Sequence, residues 1–222
     1  YKHLDYPIYK NTKIEKKNIS IPESIEVAVI GSGSGGGIAA SVLNEKYEVG
    51  IFEKGSSGNG MTNNETFGYH NFYDTYGIQQ TRGYKVLLLA GMGIGGGTSV
   101  NWTTSLRTPD KILNEWDTLT KQTKYFNSSE FKNSMDYVCK ELNVDIKNNR
   151  IPQKEKKLAE GLELNNLSYK IIPRNTSNDE CTESGFSTFG RYDESINSTN
   201  KIWFSEELSL IHISEPTRHD RI

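Results

Sequence analysis

The chain has 222 residues, of which 34 % are hydrophobic and 24 % are charged, and its formal net charge is −2. These values are typical of a globular protein, and they give no reason to expect a nucleic acid or an anionic membrane as partner. No apolar run approaches the ~18 residues that span a bilayer, so no membrane span is predicted. Two cysteines, Cys139 and Cys181, match neither a disulfide framework nor a metal motif, and no metal site is expected.

Both ends of the chain are set apart from the predicted fold. Residues 1–24 are polar and basic, and Pro7 and Pro22 interrupt regular structure there, which predicts an N-terminal arm. Residues 208–222 resemble the translated sequence of a sequencing-library adapter, so they are interpreted as a read-through tail outside the fold. Residues 25–207 are therefore predicted to form the folded part.

The first predicted elements form a strand–helix–strand unit around a glycine-rich turn. The apolar run Val27–Ile30 leads into the turn 31–36, whose sequence is GSGSGG. A helix is predicted over about 36–46, and a second apolar run, Val49–Phe52, ends at Glu53. This order predicts a right-handed βαβ unit in a parallel sheet, and hence an α/β fold.

Each part of this unit has a mechanical reason to be there if the ligand is a dinucleotide. Gly31 permits a tight turn, Gly33 lets main-chain N–H groups approach a pyrophosphate, and Gly36 lets the helix pack closely on the sheet. The helix N-terminus adds partial positive charge. Glu53 follows Gly36 by 17 residues, close to the ~20 expected for an acid that accepts a ribose hydroxyl. A glycine-rich turn of some other α/β protein is the alternative.

A second cluster of small residues follows after a long, weakly patterned segment. Residues 55–80 predict a surface excursion, and Lys85–Ala90 predicts a strand that leads into the cluster Gly91–Gly97. Such a cluster lets the main chain lie along an extended ligand, while Asn101 adds a polar contact and Trp102 a flat apolar wall. Two glycine-rich segments together favour a ligand with two phosphates and a ring system.

The remaining elements are predicted from apolar residues at helical or alternating spacing. They are a helix after Pro109, a helix over Ser129–Asn143, a helix that begins near Pro152, a short strand over 169–172 and a loop-like segment over 173–200. The position of the helix after Pro109 helps to distinguish a nicotinamide cofactor from a flavin. Asn101, Trp102 and Pro109 separate the second cluster from that helix. An NAD(P)-dependent dehydrogenase with a second GxGxxG turn would need its helix directly after the turn. That dehydrogenase, and a dinucleotide-binding fragment without catalysis, remain the alternatives to a flavoprotein.

The two glycine motifs in this order resemble the glucose–methanol–choline (GMC) flavoprotein oxidoreductases, and within them the long-chain alcohol oxidases and dehydrogenases. The resemblance rests on the GxGxxG turn, on the acid after the second strand, and on residues 96–109, which contain GGTSVNW and Arg-Thr-Pro. It spans roughly residues 25–207. It implies a Rossmann-like FAD-binding domain with a βαβ unit, together with the start of a substrate-side domain, from an incomplete chain.

The resemblance also implies a function, the FAD-dependent oxidation of an alcohol to an aldehyde or ketone with hydride transfer to flavin. The FAD-binding residues that it implies are Gly31, Gly33, Ser34, Gly35 and Gly36 at the pyrophosphate, Glu53 at the ribose, and Gly96, Gly97, Asn101, Trp102 and Thr104 along the flavin. The family's catalytic base is a histidine near the C-terminus of the protein, and nothing after residue 207 matches it, so no catalytic residue is assigned. The individual alcohol and the electron acceptor stay open.

Overall fold

The computed structural model describes residues 23–55, 64–121, 124–146, 151–177, 187–189, 195–204 and 209–212. The helices and strands, in chain order, are β1 (Val27–Ile30), α1 (Ser34–Asn44), β2 (Val49–Glu53), α2 (Glu65–Phe72), β3 (Gln79–Gln80), β4 (Leu87–Leu88), α3 (Asp110–Leu119), α4 (Ser129–Glu141), α5 (Gln153–Leu164), α6 (Thr199–Trp203) and β5 (Ser209–His212). None of the helices in these residues is long and apolar enough to cross a membrane.

The chain divides into two compact units. The first unit comprises the described residues within Tyr1–Asn101, Ser184–Tyr192 and Thr199–Ile222, and the second comprises those within Trp102–Glu183 and Asp193–Ser198. The first unit contains the β1–α1–β2 segment and both glycine clusters, whereas the second contains α3, α4 and α5. Both glycine motifs, on which the expectation of a dinucleotide rests, therefore lie in the first unit.

The first unit is built on a three-stranded sheet with the order β1–β2–β5. β1 and β2 pair in parallel, with Val29 opposite Ile51, and α1 connects them. The predicted βαβ unit is thus confirmed. The helix begins two residues earlier than predicted, at Ser34, because Gly33 already occupies the N-cap position.

Helix α1 covers one face of this sheet. Ala40 of α1 is fully buried against Ile51 and Val49 of β2, and the side chains packed around these three residues are Val27, Val29, Leu43 and Phe204. Successive side chains of a strand point to opposite faces, so Ile30, on the face away from α1, is 80 % exposed. The packing of α1 on the sheet holds the glycine turn between β1 and α1 in place.

The third strand of the sheet, β5, lies within residues 208–222, the segment that is interpreted from the sequence as a read-through tail. β5 pairs in parallel with β2, and Leu210 lies opposite Ile51. Residues 209–212 are therefore part of the sheet, although the interpretation of residues 208–222 as a read-through tail places them outside the fold. Main-chain hydrogen bonds can be made by almost any sequence, so the pairing does not bear on where the segment comes from, and the boundary at residue 207 stays a prediction.

The segment before the second glycine cluster differs from the sequence expectation. The surface excursion predicted over residues 55–80 contains α2, whose N-cap Asn64 accepts a hydrogen bond from the Phe67 N–H. This helix brings Phe72 and Tyr73 into a buried cluster, whose other members are Val100 and Phe189. The prediction was wrong here because glycine, asparagine and aromatic residues of modest helix propensity mask the helical period. Tertiary burial of the aromatic rings stabilises the helix instead.

The strand predicted over Lys85–Ala90 is reduced to the two residues of β4. β4 pairs antiparallel with β3 rather than joining the parallel sheet. Its side chains are exposed, Leu87 by 60 % and Leu88 by 45 %. The apolar run before the second glycine cluster therefore does not form a buried strand.

The second unit contains the three helices that the sequence predicts. In α3, Leu113 is 1 % exposed, whereas the apolar stripe of α4 is only half-buried. Phe126 links the two helices, because its ring lies edge-on to Trp116 of α3 and to Phe131 of α4. The strand predicted over 169–172 is wrong, since those residues are not in a strand.

Candidate cofactor site

The turn between β1 and α1 leaves its main chain open. Gly31 adopts a φ of +89°, and among the residues that the structure describes no atom lies within 4 Å of a Cβ placed on Gly31, Gly33 or Gly35. Gly33 is the N-cap of α1, yet no side chain caps the helix and no acidic residue lies in its first turn. An uncapped helix N-terminus with free space before it is suited to an anionic group such as a pyrophosphate.

The next two glycines are closely packed instead. A Cβ on Gly36 would lie 2.0 Å from the carbonyl oxygen of Gly31, and one on Gly37 would lie 1.9 Å from Cγ2 of Thr199 in α6. The contact at Gly36 agrees with the packing role predicted for it. The packing role of Gly37 is visible only in the structure. The sequence does not predict it, because Thr199 is distant along the chain.

The second glycine segment lies directly against the first. Gly93, Gly95 and Gly96 all have positive φ, of +116°, +84° and +51°, a conformation that residues with a Cβ rarely adopt. A Cβ on Gly96 would lie 3.0 Å from the Cα of Gly33. The two segments that the sequence suggests for one ligand are therefore neighbours in the first unit.

Glu53 lies at the end of β2 beside both segments, and its carboxylate is hydrogen-bonded. Oε2 accepts from the Ser32 N–H at 2.9 Å and from the Ser32 hydroxyl at 2.6 Å, and Oε1 accepts from the Gly55 N–H at 2.9 Å. The side chain is only 6 % exposed. Burial raises the pKa of Glu53, but the hydrogen bonds from Ser32, Gly55 and Lys54 outweigh burial and hold the pKa below its ordinary value. The carboxylate is thus kept ionised.

The other predicted residues are divided between the two units. Ser34 is exposed at the first turn of α1, Gly97 faces open space, and Asn101 is half-buried at the end of the first unit. Trp102, which is 67 % exposed, and Thr104 belong to the second unit. The first unit therefore brings the pyrophosphate and ribose candidates together.

Several contacting residues were not among the predicted site residues. Ser32, Gly55, Gly93 and Gly95 are all buried between or beside the two glycine segments. The only sequence signal for Ser32 is a polar residue inside the glycine turn, and this signal does not separate Ser32 from Ser34, which is exposed. No local signal marks Gly55. Glycine is required there because a Cβ would lie 2.1 Å from the main-chain nitrogen of Gly93, which is distant along the chain.

The fold and the site define a dinucleotide-binding α/β protein. Dinucleotide-binding units combine three features that are present here. They are a parallel strand–helix–strand unit, an uncapped helix that follows a glycine turn, and an ionised acid at the end of the second strand. The sequence profile of the GMC oxidoreductase family matches residues 33–212. Because this match covers most of the chain, the chain belongs to the GMC oxidoreductase family, whose members bind FAD.

Three plant proteins are similar to this chain over much of its length. Long-chain-alcohol oxidase FAO4B of Arabidopsis thaliana is 34 % identical over 181 residues, which are 80 % of this chain and 24 % of that protein. Long-chain-alcohol oxidase FAO4A is 32 % identical over the same shares of both chains, and FAO1 is 32 % identical over 68 % of this chain and 20 % of its own length. The chain thus spans about a quarter of the length of these relatives.

Proposed function

We propose that this chain is the FAD-binding part of an oxidoreductase that oxidises the CH–OH group of an alcohol to an aldehyde or ketone. Membership of the GMC oxidoreductase family supports the reaction class. The names of the relatives, long-chain-alcohol oxidases, favour a long-chain alcohol as the substrate class.

The contact between the two glycine segments carries this proposal. Gly96 lies against Gly33, while Cβ atoms placed on Gly31, Gly33 and Gly35 would meet no atom of the described residues within 4 Å. Side chains larger than hydrogen would fill the space before these three glycines, and none is present. Main-chain N–H groups can therefore approach a pyrophosphate from the turn at the N-terminus of α1.

Each predicted site residue has a binding role in this proposal. The glycine turn and Ser34 hold the pyrophosphate, Glu53 accepts a hydrogen bond from the adenosine ribose, and the flavin lies along Gly96, Gly97, Asn101, Trp102 and Thr104. When bound, FAD supplies the acceptor for the hydride from the carbinol carbon. The residues of this chain contribute binding and orientation, and none of them is assigned as the base that removes the hydroxyl proton.

The division of the chain also enters the proposal. The first unit corresponds to a Rossmann-like FAD-binding domain, since it holds the βαβ unit and both glycine segments. The second unit, which begins at Trp102, corresponds to the start of the substrate-side domain. Residues 25–207 are the incomplete N-terminal, FAD-binding part of a GMC oxidoreductase in this proposal, and the start of the substrate-side domain lies between its segments.

The visible absorption spectrum of the purified protein tests the proposal, with Gly33→Leu as the decisive variant. The wild type should carry oxidised flavin, whereas Gly33→Leu should lose it because the leucine fills the open space before the turn. Gly161→Leu is the matched control, since a Cβ at Gly161 of α5 also meets no atom within 4 Å. That variant should keep its flavin.

The other outcomes separate the alternatives. A colourless wild type that binds NADH would favour the nicotinamide-dependent dehydrogenase, and one that binds a dinucleotide without turning over any substrate would favour the dinucleotide-binding fragment without catalysis. Flavin retained undiminished in Gly33→Leu would contradict the assigned pyrophosphate site. Because no base is assigned in this chain, we expect the chain by itself to be inactive. Bleaching of the flavin by a long-chain alcohol without oxygen therefore tests the reaction in a longer protein that contains this chain, and oxygen uptake there identifies an oxidase.

A further inference from the structure

Ser32 is a wholly buried hydroxyl at the junction of the two glycine segments. It lies in the first segment, between Gly31 and Gly33, and is 0 % exposed. Its Oγ lies 2.6 Å from Oε2 of Glu53, 3.0 Å from the main-chain nitrogen of Gly95 and 3.3 Å from the carbonyl oxygen of Gly93. One side chain thus contacts both the acid after β2 and the second glycine segment.

The direction of these hydrogen bonds follows from counting hydrogens. The Ser32 hydroxyl has one hydrogen to donate, and the ionised Glu53 at 2.6 Å is a stronger and closer acceptor than the Gly93 carbonyl at 3.3 Å. The hydroxyl oxygen then accepts from the Gly95 N–H. The hydrogen bonds therefore run in one direction, from the Gly95 N–H to the Ser32 hydroxyl and from that hydroxyl to the Glu53 carboxylate.

This chain of hydrogen bonds restrains the carboxylate at both oxygens. Ser32 donates twice to Oε2, from its N–H and its hydroxyl, while the Gly55 N–H donates to Oε1. A carboxylate with both oxygens held has little freedom to rotate. A ligand that binds to it therefore causes a smaller loss of side-chain conformational entropy. The same hydroxyl attaches the second segment, through Gly95, to that carboxylate.

We propose that Ser32 is a positioning residue for the cofactor, which orients the Glu53 carboxylate toward the adenosine ribose. This inference rests on the proposed FAD-binding function. Ser32 acts through Glu53 and does not itself touch FAD. Its contribution therefore depends on the Glu53 carboxylate being present.

A double-mutant cycle on FAD affinity tests this dependence. Ser32→Ala should weaken FAD binding to the reconstituted apoprotein by a factor of about 10, the size expected when a buried charged acceptor loses a donor. In the Glu53→Gln background the same change should have little further effect, because the group it orients is already altered. Ser32→Thr, which keeps the hydroxyl, should restore much of the wild-type affinity. A purely structural role would instead weaken binding by the same factor in both backgrounds.

Ser99→Ala is the matched control for a lost buried hydroxyl. Ser99 is 6 % exposed, and its Oγ lies 2.9 Å from the Ile94 carbonyl oxygen within the second segment, without contact to Glu53. Its effect on FAD affinity should be small and equal in both backgrounds. Circular dichroism checks the folding of each variant. If the Ser32→Ala protein folds poorly, Ser32→Cys replaces it, because a thiol is a weaker donor of similar size. The Ser32→Cys protein should bind FAD with intermediate affinity.

The outcomes separate this inference from the proposed function. Wild-type FAD affinity in Ser32→Ala, or equal losses with and without Glu53, would overturn the positioning role while leaving the FAD site intact. Wild-type protein that takes up no FAD at all would refute the proposed function itself.

Discussion

The Cα of Gly33 lies 3.0 Å from the position that a Cβ on Gly96 would occupy. This distance is shorter than side chains normally tolerate, so the two glycine segments approach as closely as main chains without side chains allow. Gly96 also adopts a φ of +51°. The separation of the two segments therefore depends on the absence of a Cβ atom at Gly96.

Gly96→Ala is expected to destabilise the protein and to weaken FAD binding. The new Cβ must displace the Gly33 main chain, and alanine at a φ of +51° is strained by about 1 kcal/mol or more. Thermal unfolding and the flavin-to-protein ratio measure the two effects. Gly161→Ala, in a helix and facing open space, is the control and should be neutral or slightly stabilising. Equal melting temperatures for the two variants would contradict the close approach.

The sequence predicts the parts of this site that depend on local patterns. The alternation of Val27 and Val29, the glycine spacing and the acid at the end of β2 are short-range signals, and the β1–α1–β2 unit follows from them. The contact of Gly37 with Thr199, and that of Gly55 with Gly93, join residues distant along the chain. No local period encodes such contacts, which arise only when the elements pack.

Two adjacent glycines at the start of α1 should respond in opposite directions to alanine. Gly36→Ala places a Cβ 2.0 Å from the Gly31 carbonyl oxygen, so it should lower the free energy of unfolding by about 1–3 kcal/mol. Gly35→Ala meets no atom within 4 Å and should raise that free energy by up to about 1 kcal/mol, because alanine favours the helix. Urea unfolding of the FAD-free protein measures both. Similar values for the two variants would show that α1 does not pack on the turn as described.

The pKa of Glu53 makes a defined contribution to the pH dependence of stability. Burial raises this pKa, but hydrogen bonds from Ser32 and Gly55 lower it further, to below the ordinary value of 4.5. The unfolded chain therefore binds a proton at a higher pH than the folded protein does. The stability due to Glu53 is complete above pH 4.5 and is lost as the pH falls through the lowered folded-state pKa.

Glu53→Gln isolates this contribution. The difference in the free energy of unfolding between wild type and variant should shrink as the pH is lowered below 4.5. Asp74 also has a lowered pKa, chiefly through its hydrogen bond from Lys54, but it titrates in both proteins and cancels in the difference. A difference that stays constant with pH would show that Glu53 is not held in its ionised form by these bonds.

The contact between α1 and α6 can be tested by removing one carbon atom. Gly37→Ala places a Cβ 1.9 Å from Cγ2 of Thr199 and 3.1 Å from Cε1 of Phe204, so it should destabilise the protein by about 1–3 kcal/mol. Thr199→Ser deletes Cγ2 but keeps the hydroxyl, which lies 3.0 Å from the Thr98 hydroxyl oxygen. In the serine background, Gly37→Ala should therefore cost less.

The rescue should be partial, because the contact with Phe204 remains. Urea unfolding of the two single variants and the double variant gives the coupling between the sites, which should be at least about 0.5 kcal/mol in the direction of rescue. Thr98→Ser is the control, since it removes a methyl group from the hydrogen-bond partner of Thr199 but not from the contact with Gly37. Additive effects of Gly37→Ala and Thr199→Ser would mean that α6 does not rest on Gly37, and that another feature sets the position of α1 against the sheet.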